Sequence, residues 1–198
     1  MAYVDEPLIQ MMNKYKSGQQ GTLETGIYIK EELFEFESVQ LFDHRMSVML
    51  PKKFTDMSLE QAKIKYPMEQ RPQIIKTNEK TDINFTFSLL EQELSSEHVA
   101  ELNDYLYQVF KRVQPVNTYY EKKVEPLGEN KIGWFDFKSH GVDHNIYNVM
   151  YCTPINGKML HGIFNSPIEL AEVWKPVVLQ VMQSICDLTS DERGESNA

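Results

Sequence analysis

The pair Asn156-Gly157, set between the runs HNIYNVMYCT and KMLHGIFN, constrains this chain more than any other feature. A two-residue type I′ turn needs positive φ at both central positions, and Asn-Gly meets that demand at little cost, so the runs are predicted to form a β-hairpin. The turn sets the register: Ile155 faces Lys158, Thr153 faces Leu160, and Cys152 faces His161. Opposed residues project to the same side of a sheet. One side then carries Ile146, Met150, Cys152, Met159 and Ile163, and the other Tyr147, Val149, Tyr151, Leu160 and Phe164. The preceding run KIGWFDFKS, joined by a four-residue loop at 140–143, adds Phe135 and Phe137 to the first side and Ile132 and Trp134 to the second. A sheet apolar on both faces needs a covering layer on each.

Two periodic segments supply those layers. In SSEHVAELNDYLYQVFKRV, the residues Val99, Leu102, Leu106, Val109, Phe110 and Val113 recur at three and four positions, predicting a helix with one buried stripe. SPIELAEVWKPVVLQVMQSI carries a second stripe from Leu170 to Ile185, with Ser166, Pro167 and Glu169 reading as a capping box. Pro176 predicts a kink or restart near Trp174. Strand-like runs at 38–42 and 46–50, a short helix capped by Ser58 and Gln61, and a strand pair around the turn 78–82 precede them. The fold class expected is α+β, a three-layer α/β/α sandwich around a central, mainly antiparallel sheet, in the order ββ-α-ββ-α-ββββ-α.

The register also brings a cysteine against a histidine. Nothing in the sequence lowers the thiol pKa or orients the imidazole: no helix N-terminus precedes Cys152, and Asn148 lies two residue pairs away. The pair is therefore expected to be a packed core thiol beside a hydrogen-bonded histidine, with no catalytic residue assigned.

Composition removes several function classes. With 20 Lys and Arg against 29 Asp and Glu, the formal charge of −9 opposes nucleic acid and anionic membrane surfaces as main partners. No apolar run reaches the roughly twenty residues needed to span a bilayer, so no membrane insertion is expected. The opening residues do not read as a signal peptide, and the two cysteines, far apart and without metal-ligand spacing, suit a reducing, cytoplasmic compartment.

Three segments are expected. Residues 1–32 form an N-terminal extension whose amphipathic stretch carries Leu8, Met11, Met12 and Tyr15, tethered by a glycine-containing linker; 33–186 form the domain; 187–198 form a disordered acidic tail. A short amphipathic stretch is marginal alone in water, so those four residues are expected to dock on a partner or on a second copy, making self-association through the extension an expectation.

The strands ending in GKMLHGIFN, followed by a helix with Trp near its start and Ser-Ile near its end, resemble the PsbP-like superfamily. The stretch MSVMLPKKFTDMS, a strand running into Leu-Pro and a short helix, is similar to that superfamily's opening hairpin. The resemblance covers roughly residues 36–185 and implies an α/β/α sandwich whose members act mainly by binding proteins, some bacterial relatives as chaperones. It carries no catalytic, cofactor-binding or metal residue onto this chain.

The function expected is thus a non-enzymatic protein-binding domain, an adaptor or chaperone-like module with an unknown protein partner and no cofactor. Tyr66 and Arg71, in the proline-flanked stretch KYPMEQRPQ, are candidate partner contacts, although the same stretch would serve equally to cover a sheet edge. The alternative is a small-molecule or metal-dependent enzyme using the turns with Asp43 and His44 and with His140, Asp143 and His144, which requires the two tips to meet.

Overall fold

The computed structural model describes residues 21–189 apart from Met68, Gln70, Val142 and Asp143. Thirteen strands and three α-helices are described: β1 (Gly21–Thr22), β2 (Gly26–Ile29), β3 (Glu32–Phe34), β4 (Phe36–Leu41), β5 (Met46–Pro51), β6 (Thr55–Asp56), α1 (Leu59–Lys65), β7 (Ile74–Thr77), β8 (Asn84–Glu93), α2 (Val99–Val113), β9 (Thr118–Leu127), β10 (Asn130–His140), β11 (Asn145–Ile155), β12 (Lys158–Pro167), α3 (Ala171–Gln183) and β13 (Cys186–Asp187). The central sheet has the order β6-β7-β8-β12-β11-β10-β9 and is antiparallel throughout.

The hairpin has the predicted register. Asn156 and Gly157 take φ of 51° and 73°, and Cys152 pairs with His161. The loop between β10 and β11 lies at 141–144, with His140 opposite Asn145. That register differs by two residues from the one a loop at 140–143 imposes, so every side chain keeps its predicted face. Ile132, Trp134, Tyr147, Val149, Tyr151, Leu160 and Phe164 all enter the main core, under Trp174, Val177, Val178, Val181 and Met182 of α3. Phe135, Phe137 and Met150 form a separate cluster under Leu106, Tyr107 and Phe110 of α2. The sandwich has three layers, but α3 shares its layer with two small sheets, β1-β2-β3 and β13-β5-β4.

Those small sheets move the domain boundary. Leu23, Ile27 and Ile29, expected within the 1–32 extension, are buried in the main core, so the chain from Gly21 onward belongs to the packed domain. At the other end Cys186 and Asp187 pair with β5, and the Asp187 carboxylate accepts from the Asn156 backbone N–H at 2.6 Å, which places part of the expected tail against the hairpin tip.

Two helix expectations are corrected. Ser166 is consumed by β12, paired with Tyr147, and its hydroxyl donates to the Pro167 carbonyl at 3.2 Å; the capping box does not form, and a 3₁₀ turn at Ile168–Leu170 leads into α3. The helix then starts at Ala171 and continues past Pro176, whose missing N–H costs one bond to the Glu172 carbonyl near the N-terminus. In α2, Val99 and Asn103 are the buried positions while Val113 faces solvent. The cause is Gly133 on β10: a Cβ there would stand 2.7 Å from Asn103 Cβ, so the helix makes its closest approach at that point.

A charged pin holds α3 to the sheet. Asp136, 1% exposed, accepts from Lys175 Nζ at 2.7 Å, Tyr147 OH at 2.8 Å and the Glu121 backbone N–H at 2.7 Å. It sits at a β-bulge between β9 and β10. Hydrogen bonds from Lys123 and Lys175 hold the Glu121 carboxyl down to about 2.

Candidate functional site: a half-covered trough on the central sheet

On the α2 side the sheet presents three rows of side chains. Asn84, Asn165, Asn148 and Phe137 form the first; Thr86, Ile163, Met150 and Phe135 the second; Ser88, His161, Cys152 and Gly133 the third. Helix α2 covers the β10 and β11 ends of these rows. On the opposite flank α1 and the connection after it lie over β7, where Ile75 and Thr77 are buried. Between them Ser88 and Leu90 of β8 and His161 and Ile163 of β12 are only half-buried. The gap follows from size. Seven strands spaced by about 4.8 Å are about 29 Å wide, and two helices about 10 Å thick cover about 20 Å of it. The trough left between them is about two strands wide.

Beside the open stretch the same face of the sheet is buried yet more polar than a core. Asn84 donates to Asn165 Oδ1 at 2.8 Å and to the Thr81 carbonyl at 3.3 Å. Asn165 donates to Tyr66 OH at 3.1 Å, and Asn148 to Ser139 Oγ at 2.9 Å. Asn84 Oδ1 is the one buried side-chain atom among the described residues that lacks a partner. Asparagine is depleted in strands, so three in one row mark this face. The predicted hairpin register already pairs Asn148 with Asn165, which makes this signal readable from the sequence.

Burial depresses the His161 pKa below 6.5, leaving the imidazole neutral at pH 7. The expected hydrogen bond to it is not present among the described residues. Cys152 is 1% exposed and burial pushes its thiol up to about 12, the reverse of an activated nucleophile. Neither Cys152 nor Ser88 is hydrogen-bonded to His161, so no nucleophile–base pair is formed among the described residues.

Toward the Leu90 end the trough opens into a cleft of about 450 Å³, lined by Leu94, Leu102, Tyr105 and Met159 with Glu93 and Glu101 on its rim. Tyr105 is 64% exposed there.

The structure separates the remaining sequence candidates. Tyr66 is half-buried, its hydroxyl tied to Asn165 at the edge of the trough, and burial raises its pKa. Arg71 is half-buried beside Met57 and Ala62, over the flank of β7. Leu8, Met11, Met12 and Tyr15 lie outside the described residues, as does Asp143. The histidine turns do not meet. His44 lines a broad cleft with Asn156 and Lys158, at the hairpin end of β11, whereas His140 pairs with Asn145 at its other end. Eleven residues of strand separate the two tips by about 35 Å. No three metal-ligating side chains cluster among the described residues.

No family model and no curated protein sequence matches the chain. Solved structures do. The solution structure of cyanobacterial PsbP (CyanoP) from Synechocystis aligns with a TM-score of 0.54 at 11% identity, covering 82% of this chain and 98% of that one. The Ran-binding protein Mog1p of Saccharomyces cerevisiae aligns at 0.44 and 8% identity over 78% of this chain and 96% of its own. A Pseudomonas aeruginosa protein of unknown function, PA94, aligns at 0.41 and 10% identity over 75% and 94%. At such identities the likeness concerns fold alone, and in that respect the sequence resemblance holds: the chain has a PsbP-like α/β/α sandwich.

Proposed function

We propose that this chain is a non-enzymatic protein-binding module, an adaptor or chaperone-like domain, which engages a segment of a partner protein in the trough between α1 and α2. The observation that carries this proposal is the half-burial of Ser88, Leu90, His161 and Ile163 on a face whose flanks are fully packed. Half-buried apolar side chains with unengaged polar neighbours form a surface that gains by being covered. The neutral imidazole of His161 and the hydroxyl of Ser88 supply hydrogen-bonding groups for a peptide, and nothing beside them activates a nucleophile. Tyr66 borders the same trough, and Arg71 flanks it. Leu8, Met11, Met12 and Tyr15 are proposed as additional contacts to a partner or a second copy.

A photo-crosslinking residue placed at Ser88 or at Leu90, with one at exposed Tyr120 on β9 as control, tests this in cells. One partner protein trapped from both trough positions and not from the control, and then bound by the purified chain, is the expected result. Adducts confined to position 120 would overturn it, as would turnover of a small molecule abolished by His161→Ala.

A further inference from the structure

We infer that the Leu90 end of the trough selects a partner segment carrying a large apolar side chain flanked by lysine or arginine; this rests on the trough reading and adds the chemistry of the occupant. Leu94, Val99 and Met159 form a small buried cluster there, with Leu90 and Leu102 packed against it, and the 450 Å³ cleft opens over that cluster. An apolar side chain entering the cleft would rest on Met159 and Leu94 and against Tyr105.

The rim is acidic, and Lys158, the cross-strand partner of Glu93, is engaged by Glu91. Nearby Glu91 is paired with Lys158 at 3.3 Å and Asp104 with Lys122 at 2.5 Å, but Glu93 and Glu101 on the rim, and Glu97 about one helical turn before Glu101, make no ion pair among the described residues. The imidazole of His98 is engaged by Ser95 Oγ at 2.7 Å. These exposed carboxylates, two of them on the rim of the apolar opening, complement a cationic segment and repel an anionic one. They also disfavour a second copy as occupant, since it brings the same net charge of −9 to this rim.

The probe is a synthetic 14-residue peptide of leucine and lysine with leucines on one helical stripe, compared with its leucine–glutamate counterpart. Binding is followed by fluorescence anisotropy and by amide NMR shifts of the full-length protein. The lysine peptide should bind, with shifts concentrated at residues 90–94, 101–105 and 159, and the glutamate peptide should not. Replacing Glu93, Glu97 and Glu101 by glutamine should weaken binding about tenfold or more, and so should Tyr105→Ala. A control triple at exposed Glu60, Glu79 and Glu129 should leave it unchanged. Equal loss in the control triple, equal binding of both peptides, shifts elsewhere on the surface, or self-association removed by the same rim substitutions would each overturn the inference. If crosslinks from Ser88 and Leu90 persist while the rim variants bind the lysine peptide unchanged, the trough remains a docking face and its basic selectivity falls.

Discussion

Removing the carboxylate of Asp136 should be among the most damaging single changes outside the apolar core. Asp136→Ala deletes three hydrogen bonds at once, from Lys175 Nζ, Tyr147 OH and the Glu121 backbone N–H. The Tyr147 hydroxyl, in a residue 2% exposed, is left without its acceptor, a loss of about 1–3 kcal/mol. The Glu121 N–H adds about 1 kcal/mol. Lys175 keeps Glu121 at 2.9 Å, and its side chain is 25% exposed, so its share stays near 1 kcal/mol, below the 3–5 of a fully buried pair. The expected cost is about 3–5 kcal/mol, a large part of the roughly 5–15 that holds a domain together. Urea unfolding followed by circular dichroism at pH 7 measures it. In the Asp136→Ala background, Lys175→Met should cost less than about 1 kcal/mol, because the buried partner is already gone. A cost below about 1 kcal/mol for Asp136→Ala itself would refute the pin.

Cys186, exposed, should react with a thiol reagent in native protein at pH 7 while Cys152 reacts only on unfolding, and Cys152→Ala should cost about 1–2 kcal/mol; mass spectrometry of labelled native protein and urea midpoints check both. His161 titrates below 6.5 when folded and near 6.5 when unfolded, so the unfolded chain binds more protons between those values. Stability should therefore fall as pH drops from about 6.5, and His161→Gln should flatten that part of a pH series of urea midpoints. His44 has φ of 64° within a run of three left-handed residues, Phe42, Asp43 and His44; His44→Gly should raise stability by about 0.5–1 kcal/mol in the same assay.

Legibility of this fold followed the strength of local chemistry. Asn156-Gly157 admits one turn type, and from it came the pairing of β11 with β12 and the two faces of that hairpin; the loop at 140–143 added β10 on the right faces but two residues out of register. Ser58 and Gln61 form their capping box because nothing competes for the serine, whereas Ser166 carries the same signal but lies in the β12 ladder. Residues 21–32 fell within the expected extension because β1, β2 and β3 are two to four residues long, and it is tertiary burial of Leu23, Ile27 and Ile29 that orders them. The solvent-facing Val113 and buried Asn103 could not be foreseen, since they depend on where Gly133 lets α2 touch the sheet. The trough was half legible. Two of its three row asparagines, Asn148 and Asn165, follow from the hairpin register, but the place of Asn84 depends on the pairing of β8 with β12, and the openness on where two helices settle across seven strands.

The central sheet also has two edge strands, β6, only two residues long, and the longer β9. A bulge, Lys122, Lys123 and Pro126 guard β9, devices that discourage strand addition. Docking on the face rather than the edge is tested most directly by the dissociation constant of the partner trapped from Ser88, measured with purified proteins. Ser88→Arg and Leu90→Lys, which fill or charge the trough floor, should each weaken it about 30-fold or more with the melting temperature little changed, while Val124→Arg on β9 leaves it intact. An unchanged constant for both trough variants, or a loss confined to Val124→Arg, would contradict the proposed role of this face.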